Sequence, residues 1–209
     1  LNIKKFIKKK NKIRIKKKEK LNIKNLKRIN PSIIFFPHWS FKVPKKILEK
    51  YECICFHTSP LPFGRGGSPI QNLILRNKKV APVCALKMIS KIDAGPIYLK
   101  KNVSLKGNLN EIFKRISDAI FEMMKVLIKK KINPKKQVGK ILNFKRISKK
   151  KSQIFPNLKL KKIYDKIRML DSKEYPNAYL SIGNILIHLN NAKMKRNLIT
   201  CNAKITKKK

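Results

Sequence analysis

Acidic residues are the scarcest resource of this chain: 10 Asp and Glu stand against 54 Lys and Arg, a formal net charge of +44 over 209 residues. Any carboxylate placed in a motif therefore stands out. Cysteine is also thin. The four residues Cys53, Cys55, Cys84 and Cys201 form no CxxC pair and no dense framework, which excludes a disulfide scaffold and any call for a bound metal. Cys53 and Cys55 alternate on one stretch and share a face as core residues, suited to a reducing cytoplasm. No apolar run approaches the length of a membrane span. The basic N-terminus has no continuous apolar stretch behind it, so no signal peptide is expected, and a start at Leu1 instead of Met reads as a missing beginning. Neither a GxGxxG fingerprint nor a P-loop Lys-Ser is present, which removes the common phosphate-cradling loops. No internal repeat is evident.

What is present is enough apolar residue, 42%, to build a core, in a length that fits one α/β domain with a small appendage. The positive charge admits two readings. It can mark a nucleic-acid or membrane-surface binder. Lysine is, however, spread end to end among many Ile and Asn, the trio an AT-rich genome places at exposed positions, and Arg, the better reader of phosphate and base, is sparse. Compositional drift is the favoured reading.

Patterning along the chain predicts an ordered series of elements. Leu1–Lys10 carries a helix-like apolar stripe, and Ile13 and Ile15 alternate as in a short strand. A helix is expected over Leu21–Ile29, started near Asn22 or Asn25 and ended by Pro31. Ile33–Phe36 reads as a buried parallel strand and Pro44–Lys50 as a short helix. Glu52–Phe56 reads as a strand that delivers His57 at its C-terminal end, the edge where open α/β sheets keep their chemistry. Ser68-Pro69 opens a helix through Arg76 as N-cap and first turn. Strands are expected over Val83–Ile89 and Ile97–Leu105, flanking a turn at Asp93. Asn110–Lys129 has a continuous apolar face from Ile112 to Leu127. Ser148–Pro156 is polar and basic, a linker, followed by a helix near Leu158–Leu170 and strands near Tyr179–Leu189 and Leu198–Ile205.

One constellation points to chemistry. His57 leaves a buried strand and runs into the Pro/Gly-rich loop Pro60–Gly67, and Asp93 then sits in the glycine-flanked turn Asp93-Ala94-Gly95. An imidazole with a carboxylate to orient it, beside a loop whose Gly66 and Gly67 permit close backbone approach, is the outline of an active site. Arg65 either holds the loop or contacts an anionic substrate. His38 and Trp39, just past the first buried strand, are weaker candidates beside simple packing, and His188 is read as structural.

These segments resemble the formyltransferase superfamily that uses N10-formyltetrahydrofolate. The family's Asn-x-His segment appears here as Cys55-Phe56-His57. Its Leu-Pro-x-x-Arg-Gly loop appears as Leu61-Pro62-Phe63-Gly64-Arg65-Gly66, and its Asp-x-Gly turn as Asp93-Ala94-Gly95. Ser68-Pro69-Ile70-Gln71 also fits, as does Ile167–Leu170 with Tyr175–Tyr179 at the opening of the family's second domain. The resemblance covers the chain from about Pro31 to its end. It implies a Rossmann-like α/β core over residues 1–147, with the first strand of the family sheet lacking a counterpart, and a shortened α+β subdomain over 148–209. It also implies formyl transfer from N10-formyltetrahydrofolate to a primary amine. On that basis His57, Asp93 and Cys55 are the catalytic positions. Trp39, Ser59, Leu61, Pro62 and Gly95 would contact the folate, and Arg65, Gly66, Gly67, Gln71 and Asn72 the acceptor. Cys55 stands where the family has an Asn that donates to the developing oxyanion; a thiol is a poor substitute, and a loop backbone N–H or Asn72 is expected to take over. The short C-terminal segment and the loop Phe63–Ser68 favour a nucleotide-linked amino sugar as acceptor, with charged initiator tRNA as the alternative. A non-catalytic remnant acting as a basic binding module is the reading from another class. A homodimer through the C-terminal strands is compatible with all three.

Overall fold

The computed structural model describes residues 13–15 and 18–208; the helix-like stripe over 1–10 lies outside them. Helices are α1 Ile23–Ile29, α2 Lys45–Lys50, α3 Pro69–Leu75, α4 Leu109–Lys129 and α5 Leu160–Arg168. Strands are β1 Ile34–Phe36, β2 Cys53–Thr58, β3 Phe63–Gly66, β4 Val80–Lys87, β5 Ile97–Ser104, β6 Leu142–Phe144, β7 Ala178–Ile182, β8 Ile185–Lys195 and β9 Leu198–Lys207. The result is a mixed α/β fold, as the sequence indicates. Among the described residues the main sheet has the order β1-β2-β4-β5, with β3-β6 and β7-β8-β9 forming two smaller sheets.

Local chemistry explains the boundaries. Asn22 caps α1 by accepting from Asn25 N at 2.9 Å. Asn30 ends it in the left-handed region (φ 47°) with its N–H on Leu26 O, ahead of Pro31. Asn108 and Glu111 form a reciprocal capping box at the start of α4. From there Leu109, Ile112, Ile116, Ala119, Ile120, Met123, Met124 and Leu127 are all buried, the face expected from the sequence. Each large apolar side chain so buried contributes about 1.5–3 kcal/mol.

Period-2 alternation in β2 decides where the chemistry sits. Ile54 faces α4 within the main core, together with Val83 and Ala85 of β4. Cys53 and Cys55, and by the same alternation His57, face the opposite side. There α1 and α2 supply Leu26 and Ile47 to a second cluster, and Leu61 closes over Cys84, Leu86 and Ile97. β1 and β2 run parallel, so Phe36 pairs with Cys55 and both strands point toward the same end. β4 then returns antiparallel, which sets Cys84 opposite His57.

Three expectations change. Residues 13–15 are irregular, not strand, and Ile13 is exposed. Ser68 occupies the N-cap position of α3 without capping it. Its left-handed backbone (φ 47°, ψ 52°) leaves its side chain with no bond to the helix start, and Oγ accepts instead from Ile147 N at 3.1 Å. The polar stretch Ser148–Pro156 is docked against the body: Ser152 and Ile154 are buried, and Ile154 N donates to Tyr179 O at 2.7 Å. The main core runs on through Ile154, Ile167, Met169, Leu170, Ala178 and Leu189.

Candidate active site

The site lies where β2 ends and the loop into α3 begins. His57 is buried, with Nε2 2.7 Å from Gly64 O and Nδ1 3.4 Å from Asp93 Oδ2. Both ring nitrogens thus face oxygen atoms. A neutral imidazole has one N–H and satisfies only one of them, whereas the imidazolium satisfies both. Asp93 occupies the turn between β4 and β5 with φ 51°, a conformation that Asp and Asn tolerate better than other side chains. Its Oδ2 also accepts from Gly66 N at 2.9 Å. One carboxylate oxygen therefore joins the catalytic histidine candidate to the glycine loop.

The loop is held by close approach. Leu61–Pro62 is a cis peptide bond, and β3 pairs parallel with β6. Gly64 and Gly66 have φ of +85° and +97°, and a Cβ on Gly66 would lie 2.7 Å from Phe144 O. Gly95 is more constrained still, since a Cβ there would lie 1.7 Å from Lys87 O. Leu61 is buried against Cys84 and Leu86.

Arg65 is buried and makes no ion pair among the described residues. Its Nε and one terminal nitrogen donate to Gln137 Oε1 at 3.1 and 2.8 Å. Gln137 Nε2 in turn donates to Asp93 O and Gly95 O, each at 2.8 Å. Gln137 was not anticipated from the sequence. It lies in a stretch without periodicity, and only the fold brings it beside the turn, through the paired bonds between Lys135 and Ile97.

Cys55 shares the His57 face of β2. Burial, followed by the negative charge of Asp93, pushes its thiol up to about 12, so it is a neutral group and a weak donor. Asn72, the expected stand-in for the family's Asn, is internally bonded. Its amide nitrogen is spent on Gly67 O, Ser68 O and Lys145 O, and Oδ1 accepts from Arg76. Gln71 is likewise turned inward, with Nε2 on Met169 O at 3.2 Å. Both brace α3 against the rest of the chain. The N–H of Gly66 is committed to Asp93 as well.

Among the described residues, two buried side-chain polar atoms have no hydrogen-bond partner: Trp39 Nε1 and Ser59 Oγ. Trp39 packs on Phe36 with ring centroids 5.6 Å apart, and Ser59 follows Thr58 directly at the end of β2. His38 is exposed, with its ring edge-on to Phe113; desolvation lowers its pKa against a smaller opposing effect of Glu174. His188 bonds Thr206 Oγ1 within the C-terminal sheet. Among the described residues no cluster of metal-ligating side chains occurs and no helix is long and apolar enough to cross a membrane.

Comparison with known proteins gives these positions a context. Residues 149–206 match the family model of the methionyl-tRNA formyltransferase C-terminal domain. The methionyl-tRNA formyltransferase of Thermodesulfovibrio yellowstonii is 31% identical over 159 residues, 72% of this chain and 51% of that protein. That of Bacillus mycoides is 30% identical over 168 residues, 76% of this chain and 53% of the relative. The chain spans about half the length of these curated relatives. Among solved structures, a methionyl-tRNA formyltransferase from Clostridium thermocellum superimposes with a TM-score of 0.93 at 41% identity, covering 99% of this chain and 92% of that one. A 4-N formyltransferase from Francisella tularensis shares the fold, with a TM-score of 0.60 at 18% identity over 79% of this chain and 71% of that one.

Proposed function

The chain belongs to the formyltransferase superfamily, and from that premise we propose that it transfers a formyl group from N10-formyltetrahydrofolate to a primary amine. The observation that carries the proposal is the junction of His57, Asp93 and Gly66 through one carboxylate oxygen. The orphaned Trp39 Nε1–H and Ser59 Oγ fit a folate: a buried donor and hydroxyl without partners suit a ring system rich in donors and acceptors. Trp39, Ser59, Leu61, Pro62 and Gly95 are the residues that would hold it.

In the reaction the acceptor nitrogen attacks the formyl carbon, and the carbonyl electron pair moves to oxygen. Collapse of that oxyanion breaks the bond to folate N10, which takes the electron pair and a proton while the acceptor nitrogen loses one. His57 exchanges Gly64 O for the oxyanion at Nε2 and conveys the proton to the departing nitrogen. Asp93 holds the imidazole in orientation through Nδ1. Cys55 contributes little, so oxyanion stabilisation falls mainly on His57.

For the acceptor we infer charged initiator tRNA. The family model over residues 149–206 and the relatives at 30% identity and above support this reading over the amino sugar first expected. A nucleotide-linked amino sugar remains the second reading on one observation: beyond Ile147 the described chain offers only a short 3-10 turn, α5 and a three-stranded sheet as a platform for RNA.

The test offers N10-formyltetrahydrofolate with charged initiator tRNA and with nucleotide-linked amino sugars in parallel, reading the mass gain of one formyl group. Gain on tRNA, with affinity that falls steeply as salt rises, supports the first reading; gain on a sugar selects the second. A folded protein that formylates neither, and behaves identically as His57→Ala, would leave the non-catalytic binding module in possession of the field.

A further inference from the structure

We propose that Gln137 is a positioning residue for the active carboxylate, an inference that rests on the formyl-transfer reading. The hydrogen bonds around it form a closed ring. Gly66 N donates to Asp93 Oδ2, Gln137 Nε2 donates to Asp93 O, and Gln137 Oε1 accepts from Arg65, the residue covalently joined to Gly66. The second contact of Nε2, with Gly95 O, fixes the other end of the same turn. Gln137 uses both amide hydrogens and its carbonyl in this ring, so one side chain sets the separation between the glycine loop and the Asp93 turn.

That separation matters because His57 spans it. Its Nε2 contacts Gly64 O on the loop side and its Nδ1 faces Asp93 on the turn side. Asp93 stands at φ 51°, where no helix or strand ladder fixes the backbone, and the hairpin's own Lys87 N to Pro96 O bond begins only after Gly95. The main-chain oxygen of Asp93 is therefore held from outside the hairpin, by the 135–137 segment that pairs with Ile97. Arg65 is bound into the same ring through two donors to Gln137, and so it holds the loop.

The chemistry of the amide is specific. Glu at position 137 would still accept from Arg65 but has no N–H for the two turn carbonyls, and Met would keep the volume while making neither contact. Displacing a reacting group by about 1 Å can cost on the order of 10²-fold in rate. The experiment compares wild type, Gln137→Glu and Gln137→Met in full-length protein, with thermal melting to establish that each folds. Two readouts are taken: hydrogen exchange of the Gly66 amide against that of Ile116 in α4, and kcat and KM for the acceptor that wild type formylates.

Loss of the ring is expected to speed Gly66 exchange by at least about tenfold with Ile116 unchanged. It is also expected to lower kcat by about 10–10²-fold with KM little altered, the signature of a contact that matters in the transition state. Unchanged Gly66 exchange in both variants overturns the inference, as does an unchanged kcat. Faster Gly66 exchange in a protein whose wild type makes no formylated product supports the ring while defeating the functional reading, so the two failures are distinguishable.

Discussion

Replacing Asp93 by Asn and by Ala separates its charge from its shape. Asn retains an oxygen for the Gly66 N–H and tolerates the backbone at φ 51°. Ala loses the acceptor and the polar side chain that lets Asp tolerate the left-handed region, where an ordinary residue costs up to about 1–2 kcal/mol. The lost bond to a charged acceptor adds about 1.5–3 kcal/mol. The Ala variant should therefore lose about 2.5–5 kcal/mol. At roughly 2–4 °C per kcal/mol for a chain of this size, that is a fall of about 5–20 °C in melting temperature. Asn should lose about 1 kcal/mol or less, because only the charge-assisted part of one bond disappears. Activity should not follow the same order. Both variants remove the negative charge 3.4 Å from His57 Nδ1, so both should lose about 10²–10⁴-fold in kcat, the usual range for disabling acid–base machinery. The assay pairs differential scanning calorimetry with single-turnover formyl transfer. An Asn variant within about tenfold of wild-type kcat would refute the role given to the carboxylate charge. Equal melting losses for the two variants would refute the argument from backbone conformation.

Other expectations follow from the packing. Gly95→Ala should lower both stability and kcat, because its Cβ would overlap Lys87 O and push the turn away from Gln137; circular dichroism melting and the transfer assay check it, and a fully active, equally stable variant would contradict the geometry. Asp165→Ala should cost about 3–5 kcal/mol, since it strips the carboxylate from the buried Arg168 guanidinium that also donates to Leu105 O and Gly107 O; urea denaturation gives the number, and a loss below about 1 kcal/mol would show the pair to be dispensable. Burial pushes the thiols of Cys53 and Cys55 up to about 12 and that of Cys84 up to about 11. Because those folded-state values exceed the unfolded ones, the associated stability is present below the ordinary thiol pKa and is lost as pH rises from about 9 toward 12. In the native state at pH 8, a maleimide should label the exposed Cys201 first, with mass spectrometry of the digested protein as the check; early labelling of Cys55 would mean the site opens far more than its burial implies.

The elements that announced themselves in the sequence were those with long or strict patterning. The apolar face of α4 from Ile112 to Leu127 is legible in the sequence, because seven buried positions at helical spacing leave little alternative. The alternation through β2 likewise put Cys53 and Cys55 on one face. What stayed hidden depended on backbone geometry or on distant pairing. Ser68 had the composition of an N-cap, yet its positive φ left the helix start uncapped, and its hydroxyl serves a chain 79 residues away. Gln71 and Asn72 lie within a motif whose internal partners the sequence does not reveal. Their amides are consumed by carbonyls of the loop and of segments remote in sequence, and a single sequence cannot show which carbonyls those are. Gln137 illustrates the same limit from the other side, since its importance comes from four contacts to residues 42 to 72 positions away.

The unbroken interior that links β4 and α4 to Ile154, Ile167, Met169, Leu170 and Ala178 has a practical consequence for protein engineering. Redirecting such an enzyme toward another acceptor by swapping everything after Ser148 would slice through that interior. It would also sever the ties from Gln71 to Met169 and from Arg168 to Leu105 and Gly107. A chimera joined there would need matched replacements on both sides of the cut.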